Sequence, residues 1–171
     1  MERRFHSNLL YNKIWYAKMN VLVIAAHPDD EVLGVGGTIA RHADEGDSVY
    51  VVILAWGIAS RYEARLVSQQ MESINNATKI LGIKETILIG FGRRQKRFDE
   101  LPFIDIIKPI EENIQRFKPD ILYTHHRGDT NMDHQIAFRA TINAARVISP
   151  YLVNKILCYE TLSSTDQAPP F

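Results

Sequence analysis

Val21-Leu22-Val23-Ile24-Ala25-Ala26-His27-Pro28-Asp29-Asp30-Glu31 is the stretch on which the fold turns. Six small or apolar residues run straight into a histidine and three acids. An apolar run this short, rich in Val and Ile, reads as a strand covered on both faces, as in a parallel sheet. Charge arriving abruptly at its carboxyl end is costly to desolvate unless a ligand or metal uses it. In open α/β sheets that end of a strand is where ligands bind. His27 and Asp30 are three apart and can converge on one ion, while Asp29 between them points elsewhere.

The flanking chain alternates strands with helices. Strands are expected at 20–26, 48–55, 86–89, 121–124 and 156–159. A first helix is expected to open at Gly34-Val35-Gly36-Gly37, with Val32, Val35, Ile39 and Ala43 at helical spacing and Gly46 as its stop. A second spans 61–81, with Leu66, Ile74, Ala77 and Leu81 as its apolar face and Gly82 ending it. A third spans 101–117, with Pro102 in its first turn and Lys118-Pro119-Asp120 breaking it. A fourth spans 135–147. This alternation predicts βαβ units in a Rossmann-like, three-layer α/β sandwich, with a mostly parallel sheet and helices on both faces. Gly34, Gly36 and Gly37 do not have the G-x-G-x-x-G spacing of a dinucleotide loop, and acids stand where phosphate would sit. They read instead as close helix–strand packing.

The strand at 121–124 also ends in a polar burst: His125, His126, Arg127, Asp129, Asn131, Asp133 and His134. Right-handed crossovers bring the ends of the first and fourth strands together at a switch point, so one site accounts for both clusters. Two histidines and a carboxylate with open positions are the pattern of catalytic zinc hydrolases. Asp29 fits a base that takes the proton of a metal-bound water. Glu31 reads as an acid behind the ligands or a helix cap. The same donor set also serves non-haem iron oxygenases. A non-catalytic metal- or sugar-binding module is the third alternative.

Composition narrows these readings. The chain has 171 residues, 46% hydrophobic and 23% charged, as in one ordinary globular domain. Lys plus Arg number 20 and Asp plus Glu number 20, which gives no electrostatic case for nucleic acid or an anionic membrane. No apolar run suits membrane insertion. Cys158 is the sole cysteine, so cysteine-rich metal sites are excluded and any metal must use His, Asp and Glu. Cys158 falls in the last apolar strand and is expected to be buried and without a thiol role. Residues 1–18 read as an arm preceding a single domain at 19–171; they lack a signal-peptide core, and a cytoplasmic location is expected. The loop at 90–97, with its glycines and Arg97, reads either as a solvated loop or as a lid over an anionic part of the substrate.

Ala26-His27-Pro28-Asp29-Asp30-Glu31 resembles the signature of the PIG-L/LmbE-like de-N-acetylases. Asp129-x-Asn131-x-Asp133-His134 is similar to that family's second motif. The likeness in element order runs from about residue 19 to 160. It implies a Rossmann-like fold and a metal-dependent hydrolase that removes acetyl from an N-acetylated amino sugar, free or as a nucleotide- or lipid-linked conjugate. Zn2+ is the implied cofactor, with Fe2+ as the alternative in vivo, and a homo-oligomer is compatible. Residue by residue, His27, Asp30 and His134 become the metal ligands and Asp29 the base. Asn131 stands where some members carry a histidine that stabilises the tetrahedral intermediate, and His126 or Asp133 could share that work. Gln70 stands near the place of an arginine that reaches the site in many members, with Arg61 or Arg65 as substitutes. Arg97, Asp129 and Glu160 complete the expected substrate contacts. The ending at Ala168-Pro169-Pro170-Phe171 reads as mid-loop where relatives continue, which leaves a shortened form or a fragment open.

Overall fold

The computed structural model describes residues 17–56, 64–91, 97–146 and 151–162, leaving aside the side chains of 64–66. Most of the expected arm, Arg61, most of the basic loop at 90–97 and the tail from 163 lie outside the described residues. The elements are β1 (Asn20–Ala25), α1 (Asp30–Glu45), β2 (Ser48–Ile53), α2 (Ala64–Ile80), β3 (Glu85–Leu88), α3 (Phe103–Phe117), β4 (Ile121–His125), α4 (Met132–Ala144) and β5 (Lys155–Tyr159). Every strand pairing is parallel, in the order β3-β2-β1-β4-β5.

β1 is the centre of this sheet because both its neighbours demand an apolar strand. Val21 pairs with Val49 on one side and Ile121 on the other, and residues 21–26 are all fully buried. Its alternating side chains seed two cores. Leu22, Ile24 and Ala26 join Ile106, Ile110 and Ile114 of α3 and Ala137 and Ala140 of α4. Val21, Val23 and Ala25 join Val35 and Ile39 of α1 and Ile74 of α2. Helices therefore cover both faces, as the alternation predicts. The sheet grows one way from β1 through β2 and β3, and the other through β4 and β5. The β1–β4 boundary is the switch point, and both polar clusters leave the sheet there. Among the described residues no helix is long and apolar enough to cross a membrane.

Both helices that follow these clusters begin earlier than the apolar spacing predicts. α1 starts at Asp30 rather than Gly34, which puts Asp30 and Glu31 in its first turn, where the helix dipole favours acids. α4 starts at Met132 rather than 135, capped by Asn131, whose side-chain oxygen accepts the Asp133 N–H at 2.9 Å. Polar first turns carry no apolar period, so periodicity alone misses them. The earlier start of α1 also corrects Val32: it is 39% exposed rather than in the core. Gly46 ends α1 in the left-handed region at φ 91°, where a side chain would be strained.

Only one of the three expected packing glycines makes a tight approach. A Cβ on Gly34 would run into the Tyr159 ring and sit 2.9 Å from the Glu160 carbonyl oxygen. A Cβ on Gly36 would meet ordinary contacts, and one on Gly37 nothing within 4 Å. Gly34→Ala is accordingly expected to cost about 1–3 kcal/mol by overpacking. Gly37→Ala is expected to gain about 0.5–1 kcal/mol through helix propensity. Paired denaturant melts would check this; a neutral Gly34→Ala would contradict the close α1–β5 approach.

Cys158 also departs from expectation, being exposed. β5 is an edge of the described sheet, covered by β4 on one side, and Leu157 beside it is 38% exposed. Tyr159 alone in the second half of β5 turns fully inward, to donate its hydroxyl to the Ile24 carbonyl at 2.9 Å.

Candidate metal centre

The carboxyl end of β1 delivers His27, and the first turn of α1 delivers Asp30. The Asp30 Oδ2 accepts the His27 backbone N–H at 2.8 Å, which ties strand end and helix start into one compact turn. The first turn of α4 delivers Asp133 and His134 beside them. Ligand atoms of His27, Asp30 and His134 all lie within 4.8 Å of one another. Asp30 stands between the two imidazoles: Oδ1 is 3.2 Å from His134 Nε2, and Oδ2 is 3.5 Å from His27 Nδ1.

Each imidazole has a second carboxylate behind it. His134 Nδ1 donates to Asp129 Oδ2 at 2.9 Å, leaving Nε2 toward Asp30. His27 Nε2 lies 3.0 Å from Asp133 Oδ2, leaving Nδ1 toward Asp30. Carboxylates placed this way fix ring orientation and raise the basicity of a ligating histidine. The donor set thus fits a divalent cation: one carboxylate and two oriented imidazoles converge, with acids around them.

Asp129 was expected at the substrate and is found elsewhere. It is 1% exposed, and its other oxygen accepts the Asn131 N–H at 2.8 Å. It holds His134 and the start of α4, since burial leaves neither oxygen for a sugar. Asp133 likewise acts on His27, and its Oδ1 accepts the Phe98 N–H at 3.3 Å. Asn131 spends its side-chain oxygen on the cap described above, which leaves its amide as donor. His126 is half-buried in the turn after β4, its Nδ1 accepting the Gly128 N–H at 3.3 Å.

The histidine drawn into the centre is its neighbour, His125, which the sequence reading did not single out. It is fully buried, and its Nε2 accepts the Ala26 N–H at 2.9 Å. Its ring stacks on His134 at 4.0 Å, and Nε2 is 3.4 Å from Asp30. Burial pushes its pKa down, so it is a neutral wall rather than an acid. The signal that distinguishes the two was strand parity: His125 is the last paired residue of β4, opposite Tyr159, so its direction is set by the sheet. Of the expected cationic contacts, Arg97 pairs with Asp99 at 3.2 Å and its charge helps depress the Asp133 pKa. Arg65 lies on α2 with its side chain outside the described set, and Glu160 is exposed just beyond β5.

The charges explain themselves without a cation only in part. Burial opposes ionisation of Asp30, but the surrounding imidazoles of His125, His134 and His27 hold its pKa far below the usual range. Burial would lower the His27 pKa, yet Asp133 and Asp30 outweigh it and push it up to about 10. His134 is raised by the same balance, with Asp30 and Asp129 overcoming burial. Glu31 is buried and pushed up to about 7, mainly by desolvation; its Oε2 accepts the Asp29 N–H at 3.2 Å and so braces the turn.

Asp29 itself has φ 151°, a value that side chains seldom adopt. Its carbonyl accepts the N–H groups of Val32 and Leu33 at 3.0 and 2.8 Å, and the residue is exposed. Desolvation and the charge of Asp30 raise its pKa against the pull of His27 and His134. Backbone strain of this kind costs about 1–3 kcal/mol and collects at functional sites.

Residues 22–145 match the family described as PIG-L, GlcNAc-PI de-N-acetylase. The chain belongs to the PIG-L family. It is 33% identical over 152 residues to the uncharacterized deacetylase YaiS of Escherichia coli K12, covering 86% of this chain and 76% of that protein. It is 29% identical over 134 residues to a probable N-acetyl-alpha-D-glucosaminyl L-malate deacetylase 2 of Bacillus cereus, covering 73% of this chain and 60% of that one. The solved structure of GalB, the 4-carboxy-2-hydroxymuconate hydratase of Pseudomonas putida KT2440, matches with a TM-score of 0.63 and 25% identity, over 74% of this chain and 55% of GalB. His27, Asp29, Asp30 and His134 all lie within the span matched to the PIG-L family.

Proposed function

We propose that this PIG-L chain is a metal-dependent hydrolase that removes the acetyl group from an N-acetylated amino sugar or its conjugate. The convergence of His27, Asp30 and His134, each imidazole backed by its own acid, carries the reading. A divalent cation held there, zinc or ferrous iron, would supply Lewis acidity and lower the pKa of a bound water to about 7. Asp29, exposed beside these residues and with its pKa raised, would act as the base that takes a proton from the attacking water and returns it to the departing amine. The Asn131 amide and the half-buried His126 are the donors proposed for the developing oxyanion. Arg97, together with Arg61, Arg65 and Glu160, is proposed for the rest of the sugar conjugate. The names of the YaiS and Bacillus relatives support deacetylation.

Acetate release from a panel of N-acetylated sugars, free, nucleotide-linked and lipid-linked, tests the proposal with zinc or anaerobic ferrous iron added. Release without oxygen supports hydrolysis and excludes the oxygenase alternative. The likeness to GalB supports a second reading, addition of the same water across a carbon–carbon double bond; a panel of unsaturated hydroxy acids that is hydrated while no acetate appears would favour it.

Metal binding is expected to depend steeply on pH. His27 with a pKa of about 10 is protonated at neutral pH, and a cation must expel that proton. At least one proton released per ion, with His134 adding to it where it too is protonated, makes the apparent affinity rise about tenfold or more per pH unit between pH 6 and 9. In the metal-free protein the sign reverses: stability from the raised His27 pKa is fully present below about 6.5 and is lost as pH rises through about 10. Competitive chelator titrations across pH would check the first, and a flat affinity would contradict it.

A further inference from the structure

We propose that the cleft between α1 and α2 receives the alkyl chain of an N-acyl group longer than acetyl; this rests on the amide-hydrolase reading above. The cleft, about 220 Å³, is lined by Pro28, Asp29, Val32, Leu33, Gln70 and Ile74, among others, and its surface is almost wholly apolar. Val32 and Leu33 are 39% and 49% exposed in the first turns of α1, whereas Val35 and Ile39 serve the core. Two large aliphatic side chains are thus held at the surface beside the candidate base instead of buried with the rest of their helix.

Asp29 lines the cleft and directly precedes Asp30 of the convergent group. A base that takes a proton from the attacking water stands next to the acyl carbon, so the substituent on that carbon is the part of the substrate closest to this cleft. The anomeric substituent of a 2-amido sugar is several bonds further off. Asp29, Glu31, Gln70 and Ser73 also line the cleft but contribute little of its exposed surface, so a sugar ring would find few polar partners there, and Asp29 would repel an anionic chain. A neutral alkyl chain needs neither. Acetyl would leave most of the cleft to water, whereas each methylene withdrawn from water improves binding by about fourfold.

The test compares N-acetyl-, N-butanoyl- and N-hexanoylglucosamine on the zinc-loaded protein by released amine. The kcat/KM ratio of butanoyl to acetyl is expected at about fifteen, from two further methylenes. Leu33→Asn, at an exposed position, lowers that ratio at least about threefold, and Gln70→Leu raises it. A ratio below one in the unaltered protein, or one that neither variant moves, overturns the proposal. So does a chain-length gain seen only with alkyl glycosides of N-acetylglucosamine and lost in Leu33→Asn, which places the aglycone in the cleft. Release from the acetyl substrate alone leaves the deacetylase reading standing and removes this one; no amine from any substrate, with metal bound, removes both.

Discussion

Asp29→Ala is expected to lower kcat by about 10²- to 10⁴-fold while the protein binds metal as tightly as before. The separation of the two effects is the point. Asp29 contributes no atom to the convergent group formed by His27, Asp30 and His134. The residue is exposed, and desolvation together with the neighbouring Asp30 charge raises its pKa above the ordinary carboxylate value, which makes it a stronger base. Alanine also relieves nothing in the backbone, since φ 151° is as strained for alanine as for aspartate. Metal stoichiometry and acetate release on the same preparation would check the result; an active variant would remove Asp29 from the role of base. Asp29→Asn is the isosteric control, because it keeps the shape and loses the proton acceptor.

Asp30→Asn is expected to abolish both activity and the rise in melting temperature that added metal produces. Mutating a carboxylate that only orients a metal-bound histidine costs about 10- to 100-fold in metal affinity. Asp30 lies between both imidazoles and against His125, so its loss removes a ligand and the charge that balances the cluster. The metal-free protein is also expected to melt lower near neutral pH. A carboxyl whose folded pKa is depressed contributes stability above its ordinary value of about 3.8, and the amide forfeits it. Thermal melts with and without metal would read both effects, and a variant still stabilised by metal would refute the ligand set.

The parts of this molecule that were legible early are those written in short-range pattern. Residues 21–26 are apolar without alternation because β1 is flanked by β2 and β4 and covered on both faces. Gly46 and Gly82 mark helix ends because positive φ favours glycine. The helix starts were less legible. Asp30, Glu31, Met132 and Asp133 sit in first turns whose stabilisation comes from caps and the helix dipole rather than from an apolar stripe. Val32 looks like a core residue by spacing, and only the tertiary structure leaves it, with Leu33, open in a cleft against α2.

Residue type and spacing alone thus determined the parallel α/β fold and the small set of acids and histidines at two strand ends, because both depend on neighbours within a few positions. The sharing of work within that set was decided by tertiary structure. Which of His125 and His126 enters the centre depends on the pairing of β4 with β5. Whether Asp129 meets a substrate or braces His134 depends on how α4 docks against β1, and that docking buries the carboxylate completely. Such assignments rest on how separate segments dock, held by contacts such as His27 with Asp133 and Ala26 with His125, which no local pattern encodes.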